Sequence, residues 1–370
     1  MKVTAFWVTI LGMVGILTCT WAPTAIAGPR MLQGQREQRD LAELSGMHLA
    51  ERLVAPVARA EELGIDFLLV AQRWWGTGAE IEASTYDCFA MTSYYAAVTS
   101  KIHLVTAVHP GMVLPGPIAK WGATIDRITE GRWSINVTSG WHEAEFGMFG
   151  AEFPRHDERY LRSTEFIQVL RGAWTNEEFS FAGRHYTVEG LRVDPRPFSP
   201  ELSVWQGGQS EAAQAMAAAH SDWMFLNGGT PAKIGAIIES VRSRAGAHGR
   251  TVRFALYAIP LCRESDEEAN DAIAGMVAAL DPTRVTSRRR RVSGAEGMWQ
   301  DSADPLTKLD SNEGYASRLI GSPETILQRM REFHELGVDC FHLALHDELF
   351  NQAVLPRAKA GDWGPSVATY

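Results

Sequence analysis

Residues 131–150 read GRWSINVTSGWHEAEFGMFG, and this stretch decides the expected fold. Residues 133–137 form an apolar strand pattern with Asn136 inside it, and the chain turns polar immediately afterwards. A buried asparagine needs a hydrogen-bond partner. Polar residues at the carboxyl end of a strand line the ligand site of an α/β barrel. The stretch therefore predicts a barrel strand that ends at a binding pocket, and the alternative is an ordinary polar loop.

Apolar strand patterns and amphipathic helical patterns alternate along the 370 residues, without an internal repeat. Short apolar strands joined by helices indicate parallel pairing with both faces covered. With residues 3–10 (VTAFWVTI) as the first of eight strands, the expected fold is α/β, a (β/α)8 TIM barrel with insertions that forms one domain over residues 1–370. An open doubly wound sheet is disfavoured because the first strand lacks a Gly-rich dinucleotide fingerprint. The other predicted strands cover residues 65–71, 102–108, 133–137, 203–206, 223–226, 252–261 and 338–345, and residues 179–188 are expected to form an inserted hairpin.

Residues 1–27 support two interpretations. A secretory signal resembles this segment, in which Lys2 and the apolar run from Val3 to Trp21 precede the small residues Ala25 and Ala27. The other interpretation makes residues 3–10 the first barrel strand, whose removal would leave an open sheet edge. The strand interpretation is favoured, because no other strand is expected before residue 60.

Composition excludes several classes of function. The net charge of −9 gives no general attraction to nucleic acid or to an anionic membrane. His142 lies near Glu143 and Glu145, but no second histidine stands at ligand spacing, so no metal is expected. The cysteines are too dispersed for a disulfide framework or a metal-type pair; they are Cys19, Cys88, Cys262 and Cys340.

Residues 281–312 interrupt the alternation. They contain four consecutive arginines, Arg288–Arg291, and little apolar periodicity. A long aperiodic stretch inside a domain is typical of a functional lid or of a disordered segment. We expect a mobile lid insertion here, with a solvated charged loop as the alternative.

Two short motifs suit a phosphate group. Residues 206–210 (QGGQS) follow a predicted strand and precede a helix, so glycine amides and a helix N-terminus would face a ligand. Residues 156–160 (HDERY) open the long helix, where Arg159 and Tyr160 offer a charge and a hydroxyl donor. Asp157 and Glu158 also suit a helix N-terminus on electrostatic grounds alone.

These motifs, in this order, resemble the bacterial luciferase-like flavin-dependent monooxygenases, and most closely the dimethylsulfone, alkanesulfonate and pyrimidine monooxygenase group. The resemblance spans roughly residues 47–356. The quoted motifs are ATID at 123–126, GR at 131–132, Asn136, SGW at 139–141, HDERY at 156–160, GGQS at 207–210 and LIGSPE at 319–324.

The resemblance implies a TIM barrel, reduced FMN (FMNH2) as cofactor and O2 as co-substrate. It implies that the insertion closes over the flavin. The catalytic residues that we expect are Asn136, His109 and Trp141. The expected cofactor-binding residues are Gln72, Arg73, Asn136, Ser139, Glu145, Arg159, Tyr160, Gly207, Gly208, Gln209 and Ser210.

The expected activity is oxygenation of a small organosulfur compound, a sulfone or a sulfonate, with cleavage of a C–S bond. The alternatives are oxygenation of a heterocycle, an amide or a haloaromatic ring through the same flavin peroxide, a deazaflavin-dependent oxidoreductase, and a secreted flavin-binding protein without turnover. The expected partner is an NAD(P)H-dependent flavin reductase, and a homo-oligomer is expected. Dependence on a reductase favours a cytoplasmic location, whereas the signal-like N-terminus favours export.

Overall fold

Eight parallel strands close into a barrel in the computed structural model, which describes residues 15–23, 25–27, 44–74, 82–283, 285–286, 303–310 and 312–364. The strands are β1 (Leu17–Trp21), β3 (Phe67–Val70), β5 (His103–Val108), β6 (Trp133–Thr138), β9 (Val204–Gly207), β10 (Trp223–Leu226), β11 (Arg253–Ala258) and β14 (Cys340–Leu343). Around the barrel their order is β1-β14-β11-β10-β9-β6-β5-β3, so the first and last strands are neighbours. The predicted (β/α)8 TIM barrel is confirmed.

Helices cover the outside of the barrel. In the described residues they are α1 (Gly46–Glu62), α2 (Cys88–Val98), α3 (Pro115–Ile128), α4 (Glu143–Met148), α5 (His156–Thr175), α6 (Glu211–His220), α7 (Pro231–Ala247), α8 (Asp266–Ala278), α9 (Pro323–Leu336) and α10 (Leu355–Ala360), the last preceded by a π-helical turn at Phe350–Val354. In α1 the buried side chains recur at helical spacing, Leu53, Val57 and Ala60, and form one stripe against the barrel. Serine or threonine side chains cap several helices, so α9 begins where Ser322 Oγ accepts a hydrogen bond from Thr325 N.

The prediction for the first strand is wrong. Leu17–Trp21, and not residues 3–10, occupies the position between β14 and β3. Asp66 fixes this strand, because its carboxylate accepts hydrogen bonds from Thr18 N at 2.8 Å and from Thr18 Oγ1 at 2.7 Å. The apolar run from Val3 to Trp21 has no alternation, so its local pattern leaves the pairing segment undetermined. Residues 3–10 lie outside the described residues.

Three short strand pairs in the described residues lie outside the eight-stranded barrel. The predicted hairpin is present as β7 (Phe179–Ala182) and β8 (Thr187–Leu191). Two further pairs were not predicted: antiparallel β2 (Ala25–Ala27) with β4 (Glu82–Thr85), and parallel β12 (Leu261–Cys262) with β13 (Ile320–Gly321).

The insertion at 281–312 is only partly described. Residues 284, 287–302 and 311 lie outside the described residues, so the lid stays a prediction. Near its end, a 3-10 helix at Pro305–Lys308 buries Leu306, and Leu309 is buried next to it. The described end of the insertion therefore packs into the apolar core.

Alternate residues on each strand serve two apolar cores. On β3, Leu68 and Val70 belong to the core under the helices, whereas Phe67 and Leu69 belong to the core inside the barrel. In the inner core Trp205 stacks on Trp223, with ring centroids 4.4 Å apart and planes inclined by 7°. These side chains fill the barrel interior around the stacked Trp205 and Trp223 rings.

Candidate functional site

A cavity opens at the carboxyl ends of the barrel strands, with an empty volume of about 960 Å³ that includes its opening to solvent. Its wall consists of residues in or directly after β1, β3, β5, β6, β9 and β10, residues of α5, and Asn312 from the insertion. This end of an α/β barrel is where ligands bind in proteins of this fold.

Ten of the thirteen predicted site residues line this cavity. They are Gln72, Arg73, His109, Asn136, Ser139, Trp141, Arg159, Tyr160, Gly207 and Gly208. The structure thus brings together residues that are up to 136 positions apart in the sequence. Their roles toward a ligand stay predictions.

The other three predicted residues support the wall from behind. Glu145 Oε1 accepts a hydrogen bond of 2.6 Å from Trp74 N, next to Arg73. Gln209 Nε2 donates to Asn227 O at 3.1 Å. Ser210 caps helix α6, since its Oγ accepts from Ala213 N at 3.3 Å.

Asn136 lies in the middle of β6 and is 5% exposed. Its main chain pairs in register with Ala107 of β5 and Trp205 of β9. Among the described residues its buried Oδ1 atom has no hydrogen-bond partner. A buried polar atom without a partner is costly, and its presence on a cavity wall indicates a ligand or an ordered water.

Gln72 and His109 join three neighbouring strand ends. His109 N donates a hydrogen bond of 2.5 Å to Gln72 Oε1, and the His109 ring reaches Gln72 O through Nε2 at 3.1 Å and Thr138 O through Nδ1 at 3.0 Å. Both ring nitrogens therefore lie at hydrogen-bonding distance from main-chain carbonyls after β3 and at the end of β6. His109 is 3% exposed and stiffens the cavity wall.

Arg159, Tyr160 and Gly208 form one polar end of the cavity. Arg159 is 4% exposed, its guanidinium lies 4.1 Å from the centroid of the Phe153 ring, and its Nη1 donates to Pro154 O at 2.9 Å. Gly208 has a φ of +132°, and a Cβ at this position would lie 2.9 Å from Tyr160 Oη. Only glycine fits here without strain, so its main chain stays open to a ligand.

Arg73 and Trp141 face each other across the cavity wall. The Arg73 guanidinium carbon lies 5.6 Å from the Trp141 ring centroid, within the range of a cation–π contact. Trp141 directly follows Gly140, whose φ of +93° redirects the chain after β6. The pair places a cation and an aromatic face beside the polar end.

Aromatic rings form the opposite, apolar side. Trp21 and Phe225 line the cavity with centroids 6.1 Å apart. Behind them, His342 lies 4.4 Å from Trp21 and 5.2 Å from Tyr257, centroid to centroid. Complete burial lowers the pKa of His342 to about 3 and raises that of Tyr257 well above its usual range. Behind this side of the cavity, the His342 ring and the Tyr257 hydroxyl are therefore both neutral at neutral pH.

Sequence reasoning missed several lining residues. They are Trp21, Leu69, Ala71, Ala107, His156, Phe225, Asn227 and Asn312. Asn227 directly follows β10, and a polar residue directly after a barrel strand was the signal that identified residues 138–141. Asn312 carried no such signal, since only a tertiary contact brings it to the cavity.

The described parts of the chain show neither a metal-binding cluster nor a membrane-spanning helix. No group of three or more His, Cys, Asp or Glu side chains there is arranged to hold a metal ion. Across those same parts, none of the helices combines the length and the apolar character that crossing a bilayer requires.

Fold and cavity together define an α/β-barrel enzyme with a pocket at the carboxyl ends of its strands. The family model described as luciferase-like monooxygenase matches residues 31–340. The chain belongs to the luciferase-like monooxygenase family, and the expected resemblance is confirmed.

Two relatives in sequence and one solved structure are similar to this chain. The chain is 33% identical over 351 residues to the FMNH2-dependent dimethylsulfone monooxygenase of Pseudomonas putida, covering 91% of this chain and 93% of that protein. It is 35% identical over 312 residues to the protein of the same description from Pseudomonas fluorescens (strain Pf0-1), covering 80% and 84%. The solved structure of EDTA monooxygenase from Chelativorans sp. BNC1 has a TM-score of 0.76 at 19% identity and covers 95% of each chain, which supports the fold.

Proposed function

We propose that this chain is a monooxygenase that uses reduced FMN and O2 to oxygenate a small organosulfur compound, a sulfone or a sulfonate, with C–S bond cleavage. Both curated relatives described above are named FMNH2-dependent dimethylsulfone monooxygenases and match at 33% and 35% identity. The observation that carries the proposal is that motif residues from separate strand ends meet around one cavity.

The residues of the cavity fit FMN. The buried Oδ1 of Asn136 has no hydrogen-bond partner among the described residues and requires one. Gly208 leaves open the space that a Cβ would fill, beside the hydroxyl of Tyr160. Arg159 supplies a buried positive charge, which suits a phosphate. We propose that Arg159, Tyr160 and the main chain of Gly207–Gln209 hold the phosphate and that Asn136 contacts the ring system.

When bound, the reduced flavin supplies the redox chemistry that activates O2. The residues of the chain bind and orient the cofactor and the substrate, and they exclude water. Gln72 and His109 fix the positions of three strand ends, and Trp21 and Phe225 present an apolar surface to the substrate. A fixed, apolar wall of this kind limits the side reaction of the activated cofactor with water.

Reduced flavin must reach this site from another protein, so we propose an NAD(P)H-dependent flavin reductase as partner. We extend the proposal to a cytoplasmic location and to a homo-oligomer. Cleavage of a leader after Ala27 would remove β1, which pairs with both β14 and β3. Retention of this strand is therefore needed for a closed barrel.

A reductase-coupled assay with a panel of substrates tests the activity. Sulfinate or sulfite release from a sulfone or a sulfonate is the expected result. Oxygenation of heterocycles, amides or haloaromatic rings instead would show that the substrate is not an organosulfur compound. Turnover with a deazaflavin but not with FMNH2 would show that the cofactor is a deazaflavin. Flavin binding without oxygen uptake would refute the proposal that the protein is an enzyme.

A second experiment tests the phosphate contacts. Arg159→Ala is expected to weaken FMN binding by about 1.5–3 kcal/mol, the range for a charged hydrogen bond. Riboflavin has no phosphate, so its weaker binding should not change in this variant. Equal losses for FMN and riboflavin would refute the phosphate role.

A further inference from the structure

Two asparagines from distant parts of the sequence line the same cavity. Asn227 directly follows β10 and is 7% exposed, and Asn312 lies at the end of the insertion. Gly228 N donates a hydrogen bond of 2.9 Å to Asn312 O, so the main chains of the two segments touch. Among the described residues, neither carboxamide makes a hydrogen bond.

The main chain around Asn312 is firmly held. Asp310 Oδ1 accepts hydrogen bonds from Asn312 N at 2.8 Å and from Gly314 N at 3.0 Å. A Cβ on Gly228 would overlap the carbonyl oxygen of Glu313, so glycine permits this close approach. The end of the insertion therefore has a fixed position at the cavity.

Glu313 strengthens this anchor. Its side chain is fully buried, its φ of +60° is unusual for a residue with a Cβ, and its carboxylate lies 3.7 Å from Lys233 Nζ on α7. Gly314 O also accepts from Ile259 N at 3.2 Å, after β11. These contacts set the place from which the Asn312 side chain reaches the cavity.

The cavity that the two asparagines line also has an aromatic wall. Trp21 and Phe225 line the same cavity, and Phe225 is two residues before Asn227 on the same strand face. A ligand here meets amide N–H donors beside aromatic surface. Each carboxamide offers two N–H donors, and a sulfonyl group offers two acceptor oxygens.

We infer that Asn227 and Asn312 form the subsite that holds the sulfonyl oxygens of a neutral sulfone, with its alkyl groups against Trp21 and Phe225. This inference rests on the proposed monooxygenase function. The uncharged N–H donors of the two carboxamides suit the uncharged sulfonyl oxygens of a sulfone. A sulfonate would lose its hydration without gaining an opposite charge from these two residues.

Isosteric carboxylates test the subsite. Asn312→Asp and Asn227→Asp remove the N–H donors and place a negative charge near the sulfonyl oxygens. We expect each to raise KM for dimethyl sulfone tenfold or more, with a smaller change in kcat, and to leave FMN binding unchanged. Asn270→Asp makes the same chemical change on an exposed position of α8 and should match the wild type.

Asn227 is almost fully buried, so Asn227→Ser provides a second, uncharged variant if the carboxylate impairs folding. It should also raise KM for dimethyl sulfone. Wild-type KM in folded Asn312→Asp and Asn227→Ser would overturn the subsite while leaving the activity in place. Faster wild-type turnover of methanesulfonate than of dimethyl sulfone would overturn the preference for a neutral substrate. Absence of turnover with any sulfone or sulfonate would instead refute the proposed function.

Discussion

Gln72 and His109 bind each other in both directions: the Gln72 carboxamide accepts from the His109 main chain, and the His109 ring reaches the Gln72 main chain. The ring also reaches Thr138 O, so one histidine connects the carboxyl ends of β3, β5 and β6. These are three adjacent strands of the barrel. The wall nearest the predicted catalytic residues is therefore stiffened by its own side chains.

Gln72→Leu should destabilise the protein by about 1–3 kcal/mol, because it leaves the buried His109 N–H without an acceptor. Urea unfolding followed by circular dichroism measures this change. Gln352→Leu, at an exposed glutamine, is the matched control and should unfold like the wild type. Equal unfolding free energies for both variants would contradict the role given to Gln72.

Gly208→Ala should weaken FMN binding about tenfold. The positive φ is unfavourable for alanine, by roughly 1–3 kcal/mol, and the new Cβ would press on Tyr160 and Ala213. Fluorescence titration of FMN gives the affinity. Gly147→Ala is the control, since a Cβ there meets nothing within 4 Å. An unchanged affinity for FMN in Gly208→Ala would contradict the proposal that this turn contacts the phosphate.

His342 should make stability depend on pH. Its pKa is lowered to about 3 by burial, whereas the unfolded chain binds its proton near pH 6.5. Unfolding therefore takes up a proton below pH 6.5. The contribution of the neutral His342 to stability is fully present above that pH and is lost as the pH falls toward 3. The stability difference between wild type and His342→Leu should shift by about 1.4 kcal/mol per pH unit between about pH 6 and 4. A difference that is independent of pH would contradict a neutral, buried His342.

Removal of residues 1–27 should prevent folding, because it deletes β1 and leaves β3 and β14 with unpaired edges. A chain that starts at Gly15 keeps β1 and is the matched control. Circular dichroism and gel filtration compare the two. N-terminal sequencing of protein from its native host completes the test, since a mature start at Gly28 together with a folded barrel would overturn the assignment of β1.

Cleavage after Arg288–Arg291 should slow when reduced FMN and substrate are bound, because the resemblance implies that the insertion at 281–312 closes over the flavin. These arginines lie outside the described residues, and the prediction rests on sequence alone. Limited trypsin digestion with and without ligands provides the measurement. Identical cleavage rates would argue for a loop without a part in catalysis.

Strong local patterns made most of the barrel predictable. Residues 223–226, for example, form a short, wholly apolar run between turn residues, and the structure has this strand with the same bounds. Helix α6 starts at Glu211 as expected, because Ser210 supplies a cap that the sequence shows directly. Where a local signal marks both the type and the ends of a helix or strand, the sequence was sufficient to predict that element and its bounds.

Tertiary contacts decided the rest. The continuous apolar run from Val3 to Trp21 offers several possible strands, and Asp66 selects the one that contains Thr18. Asn312 reaches the cavity only because Gly228 permits a close main-chain contact. Trp21 was missed for the same reason as β1, since a lining residue cannot be assigned before its strand is known. Such pairings are not encoded in local periodicity.

Closure of the ring between β1 and β14 has a consequence for synthesis of the chain. Thr20 Oγ1 bonds to Leu343 O across 323 residues of sequence. At the 5–20 residues per second typical of translation, the ribosome needs roughly 15–65 s to make that length. During this interval β1 lacks its partner β14, so the barrel cannot close until the last strand has been made.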